Sequence, residues 1–143
     1  MNTDSKLKHL EFIQNVITRM GNNSFLIKGW SVTLVAALFA LADKDTDQSY
    51  SAVVYLPVFA FWWLDGYFLS QERQYRALFN DVAAKSDDQV DFSMDASSYN
   101  KGYRSWFRTA FSKTVFSFHG VLLTAIVIVM FVIPRLKCGG ACL

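Results

Sequence analysis

Apolar residues along this chain gather into three long runs, separated by polar stretches of unequal length. From Phe25 to Ala42 the only charged residue is Lys28, and from Ala52 to Gln71 it is Asp65. From Val115 to Pro134 there is no charge, and only His119 can titrate. The hydrocarbon core of a bilayer takes about 20 apolar helical residues, within a range of about 17 to 25. The pattern therefore predicts three transmembrane helices, at 25–42, 52–71 and 115–134. A chain of 143 residues is one domain in size, and it has no polar shell with which to bury three such runs in water. The fold class expected is an all-α integral membrane protein.

The polar stretches carry their own patterns. Within 5–20, Leu7, Leu10, Ile13 and Ile17 recur at spacings of three and four, with Met20 following and Lys8, Glu11, Gln14 and Thr18 between them. That is the period of an amphipathic helix. Gly21-Asn22-Asn23 is expected to break it, leaving Ser24 to cap the first span. No breaker follows the second run, so its helix is expected to continue to about residue 85, with Pro57 in the first turns where proline is tolerated. Residues 86–103 read as a polar linker without periodicity. In 104–114, Trp106, Phe107 and Phe111 interleave with Arg104, Arg108 and Lys113, the aromatic and basic mixture of a membrane interface. Residues 135–143 form a tail. The whole is a single membrane domain, with three spans and a cytoplasmic helical layer.

Charge sets the expected orientation. Lys6, Lys8 and Arg19 precede the first span, and Arg73, Arg76, Lys85, Lys101, Arg104, Arg108 and Lys113 lie between the second and third. The short loop "DKDTDQSYS" carries three Asp and one Lys. Basic residues concentrate on the cytoplasmic side, which places the N-terminus and the long loop inside, and the short loop and the C-terminal tail outside. The first apolar run begins at Phe25 with no small-residue cleavage site after it, so a retained helix is expected rather than a signal peptide.

Few residues suggest reactive chemistry. Asp87, Asp88, Asp91 and Asp95 cluster in the linker but lack the alternating ligands, turn glycine and closing Glu of a calcium loop, so a solvated acidic linker is expected and no metal site. Arg104, Trp106, Arg108 and Lys113 could neutralise and stack a nucleic acid, yet their place beside a span favours membrane anchoring. There is no phosphate-binding glycine loop, nucleophile elbow or Cys/His metal spacing. No enzyme activity and no cofactor are expected. Cys138 and Cys142 leave open a small disulfide, pairing between subunits or an incidental tail.

The ionisable residues inside the spans stand out. Measured from the midpoint of each run, Lys28, Asp65 and His119 all fall in one layer, about 5–8 Å to the cytoplasmic side at 1.5 Å per residue. Charges this deep are costly unless paired or hydrated, so Lys28 is the expected partner of Asp65, with Ser31, Tyr67 and Ser117 at hand for hydrogen bonds. Such a layer either fixes helix register or forms a polar constriction or ion-sensing switch. In the first span Gly29, Thr33 and Ala37 recur every fourth residue. That small face permits close helix approach, either to the aromatic second span or to a neighbouring subunit.

The segments "NNSFLIKGWSVTLVAALFALA", "FWWLDGYFLSQERQYRALFNDV" and "VDFSMD" resemble a widespread family of small bacterial inner-membrane proteins, over roughly 7–133. In layout the chain is also similar to short multi-span effectors of anti-phage systems, in which a soluble sensor triggers a membrane effector. That resemblance implies an oligomeric channel-like or membrane-perturbing effector in defence. Its partners would be the lipid bilayer, further copies of itself, and a cytoplasmic protein or nucleotide-signal partner as trigger. The alternative is a non-conducting adaptor that recruits a cytoplasmic partner through 72–113. A carrier ranks third, because the broken helices and paired repeats of transporters are absent.

Overall fold

The computed structural model describes residues 3–41 and 48–132. The acidic loop residues Asp43, Asp45 and Asp47 and the tail cysteines Cys138 and Cys142 lie outside that range. The described residues are helical without strands: α1 (Thr3–Leu41), α2 (Gln48–Ala84), the short α3 (Trp106–Ala110) and α4 (Lys113–Val127). Single 3-10 turns at Ser97–Tyr99 and Gly102–Arg104 lead into α3, and a π-helical turn, Ile128–Val132, extends α4. Three of these helices are long and apolar enough to cross a membrane.

The expected break at Gly21-Asn22-Asn23 does not occur. α1 runs unbroken for 39 residues, about 58 Å. A glycine inside a helix costs only about 1 kcal/mol relative to alanine, and packing along the full length of α2 outweighs it. Gly21 lies beside the Glu72 side chain. The residues of α1 buried along this seam are His9, Ile13, Ile17, Ser24, Ser31 and Val35, spaced by fours and sevens as in left-handed helix pairs. The second helix also differs from expectation. It begins at Gln48, so Pro57 sits well inside it and removes one backbone bond there rather than easing an N-terminus.

Two apolar clusters hold the pair together. One, in the spanning half, joins Val35, Val54, Val58 and Ile126. The other joins Ile13, Ile17, Leu78, Val82, Val90 and Ala96 at the end where the N-terminus lies. The second cluster corrects the reading of 86–103 as a free linker, since Val90 and Ala96 anchor it to α1 and α2. Its aspartates serve the backbone: Asp91 accepts from the Ser93 amide (3.1 Å) and Asp95 from the Ser97 amide (2.8 Å). Lys6 clips the start of α1 to the end of α2, donating to the Lys85 carbonyl (2.5 Å) and facing Asp87 (3.5 Å). We call this half the basal layer.

Outside the basal layer the surface is apolar. Phe25, Trp30, Leu56, Phe59, Trp63 and Val121 are all more than half exposed. A soluble protein rarely shows contiguous apolar surface on this scale, whereas acyl chains would cover it without cost.

Candidate functional site

Where the spanning half meets the basal layer, α1, α2 and α4 converge on Asp65, which is completely buried. Lys28 of α1 donates from Nζ to Asp65 Oδ1 at 2.6 Å. Ser24, one turn earlier, donates its hydroxyl to the same oxygen at 2.5 Å and accepts from Lys28 Nζ at 2.9 Å. From α4, His119 Nε2 lies 3.3 Å from Asp65 Oδ2. An ionised carboxylate only accepts, so His119 Nε2 is the donor, and Nδ1 is buried without a partner among the described residues. The three residues singled out by their depth in the sequence thus meet around one carboxylate.

Their surroundings explain why the cluster holds. Trp62 stacks parallel to His119 with ring centroids 5.8 Å apart, and Phe118 meets the same imidazole edge-on at 5.2 Å. Trp62 is itself fixed by its indole N–H, which donates to the Ala110 carbonyl at 2.8 Å. Lys28 approaches the Phe118 ring at 6.0 Å. A buried ion pair survives desolvation only with good geometry and further hydrogen bonds, and Asp65 receives three donors. Ser24 was expected to cap a helix, and its actual role could not be anticipated while a break was assumed there. The hydrogen-bonding residues expected from depth do not join: Ser31 Oγ is buried without a partner among the described residues, Ser117 donates to the Thr114 carbonyl, and Tyr67 faces outward.

No protein-family model, curated protein or solved structure matches this chain.

The other candidate residues are placed as follows. Gly29, Thr33 and Ala37 do not pack on α2. Nothing lies within 4 Å of a Cβ built on Gly29, Thr33 bonds back to the Gly29 carbonyl (3.0 Å), and both Thr33 and Ala37 are exposed. The expected match of this small face to the aromatic second span is corrected, because the heptad-like seam through Ser24, Ser31 and Val35 turns it away. The interfacial residues divide. Trp106 donates its indole N–H to the Trp63 carbonyl (3.2 Å) and lies against the Trp63 ring. Arg108 and Lys113 are exposed. Arg104 is drawn inward, donating from Nε to the Tyr99 carbonyl at 2.9 Å.

Proposed function

We propose that this chain is an oligomeric, channel-like or membrane-perturbing effector of a bacterial inner membrane, acting in anti-phage defence, with the N-terminus and basal layer in the cytoplasm. The observation that carries the reading is the open small-residue face of α1. Within one protomer Ser24, Lys28 and His119 close around Asp65, and three spans are too few to enclose an aqueous path, so conduction needs several copies. Gly29, Thr33 and Ala37 give a surface on which a second helix could approach closely, beginning at the depth of Lys28 and running away from the basal layer. The orientation is supported by the basic residues of the basal layer and of 101–113, and the defence role by the layout shared with short multi-span effectors.

Purified protein reconstituted in liposomes should release a trapped ion or small dye. Gly29→Leu should lower that release by roughly tenfold, corresponding to about 1.4 kcal/mol of lost association, and shift the detergent-solubilised oligomer toward single protomers. Release that is absent from the wild type would overturn the reading. Orientation is tested separately. A reporter inserted at Asp91 should be cytoplasmic and one fused to the C-terminus periplasmic, and the same side for both would remove a span.

A second reading, an adaptor that docks a cytoplasmic partner, is favoured by one feature of the basal layer. A broad open groove of about 840 Å³ is lined there by Lys8, His9, Phe12, Arg19, Phe92 and Met94. Its apolar floor and basic rim would suit an acidic amphipathic segment. An oligomer that assembles in liposomes yet passes nothing would favour this reading over the first.

A further inference from the structure

The basal layer holds a second cluster of charge, on the side where the returning loop crosses α2. Arg73, Arg76, Ala77 and Asn80 of α2, with Tyr99, Tyr103 and Arg104 of the loop, line a cavity of about 330 Å³. Three guanidiniums share it. Arg73 is held by donating from Nη1 to the Tyr103 carbonyl (3.1 Å) and to the buried Thr109 hydroxyl (3.3 Å). Arg104 is held through Nε on the Tyr99 carbonyl (2.9 Å), with its guanidinium 5.3 Å from the Tyr103 ring. Arg76 Nη2 pairs with Glu72. Each anchoring uses one nitrogen, so both Nη of Arg104 and the Nε and Nη2 of Arg73 have no partner among the described residues.

Charge is not balanced there. Glu72 answers one of the three arginines. The next carboxylate, Asp81, is taken by Lys85 at 2.7 Å and by the Tyr99 hydroxyl. The Lys85 ammonium first, and the Tyr99 hydroxyl second, hold the Asp81 carboxyl below the usual carboxylate range. Burial first, then Asp81, pushes the Tyr99 phenol up. Arginine does not deprotonate to relieve the crowding. A surplus of two positive charges gathered at one open cavity is mutually repulsive, and an anion would offset it.

We infer that the Arg73–Arg76–Arg104 cavity binds a phosphate group carried by a small molecule. Planar guanidinium forks match phosphate oxygens bidentately, and three of them from two chain segments can surround one phosphate. Asn80 and the two tyrosine rings leave room beside it for a ring-bearing portion about the size of a mononucleotide, since the cavity is at the small end of ligand sites. Arg73 is eight residues beyond Asp65, about 12 Å along the helix. A lipid phosphate and a soluble phosphate could therefore both reach it, and the same chemistry would hold either.

The full-length protein, in a phosphate-free maltoside detergent, is titrated calorimetrically with inorganic phosphate and with AMP. In nanodiscs it is tested for retention of phosphatidic acid over phosphatidylcholine. Saturable binding is expected in at least one arm, and the arm identifies the source. Arg76 is mostly exposed, so Arg76→Ala should leave thermal melting unchanged while weakening binding at least tenfold, with Arg76→Lys recovering part. No saturable binding of any probe to the wild type, or binding indifferent to Arg76→Ala, would overturn the site. Neither result depends on liposome release, so this inference and the effector reading fail separately.

Discussion

Lys28→Met is expected to be the most damaging single substitution in the spanning half, costing about 3–5 kcal/mol of stability, the range for breaking a buried ion pair. It leaves Asp65, which has no exposed surface, facing only Ser24 and His119. The loss is bounded because a stranded carboxylate takes up a proton rather than remaining charged in an apolar site. Asp65→Asn should cost less. The Lys28 side chain keeps 18% of its surface exposed, and its long stem allows the ammonium to swing outward toward water or headgroups. The double variant should regain at least half of the larger loss, since neither charge is then stranded. The measurement is a double-mutant cycle on thermal melting in detergent and on dye release in liposomes. Recovery of melting without recovery of release would assign the pair a role in conduction, and recovery of both would make it a structural clasp. A coupling energy of zero in both measurements would sink the pairing.

The depth of that cluster was legible in the sequence because Lys28, Asp65 and His119 each stand alone in an apolar run. A lone ionisable residue at membrane depth must find another. What the sequence could not supply was rotation. Helical spacing alone makes Gly29, Thr33 and Ala37 as plausible a contact face as Ser24, Ser31 and Val35. Only the packing of α1 on α2 decides between them. The Gly21-Asn22-Asn23 signal failed for a related reason, since local propensity of about 1 kcal/mol per residue is small against a seam that continues on both sides. The linker hid the rest. Val90 and Ala96 lie where apolar residues alternate with polar ones, Val90, Phe92, Met94 and Ala96, and carry no helical period to mark them as buried. The arginine cavity joins Arg73 to Arg104 across a loop closure that no local pattern encodes. Trp106, expected at an interface from its place beside a span, packs on Trp63, a contact that its spacing did not indicate.

The same crossing of α2 by α3 makes Gly66 the position where the smallest change should be felt. A Cβ on Gly66 would lie 2.8 Å from the Ala110 Cβ and 3.0 Å from its Cα, closer than side-chain carbons approach. The far atom is backbone, not the end of a flexible side chain, so α3 itself would have to move. It is held on both sides, by the Trp62 indole on the Ala110 carbonyl (2.8 Å) and the Trp106 indole on the Trp63 carbonyl (3.2 Å). Two effects of Gly66→Ala therefore oppose each other. Helix propensity favours alanine by about 1 kcal/mol, while overpacking a close contact costs about 1–3 kcal/mol. The net expectation is a loss of about 0–2 kcal/mol, by difference. Lower thermal melting should accompany a red shift in tryptophan emission as the indoles of Trp62 and Trp106 lose their carbonyls. Gly120→Ala, where a Cβ meets nothing within 4 Å, is the control and should be neutral or slightly stabilising. Adding Ala110→Gly to Gly66→Ala removes the colliding Cβ, and should restore part of the melting temperature. A Gly66→Ala protein that melts at or above the wild type would mean that α3 does not cross α2 this closely. The route by which Trp62 fixes the His119 ring would then have to be redrawn.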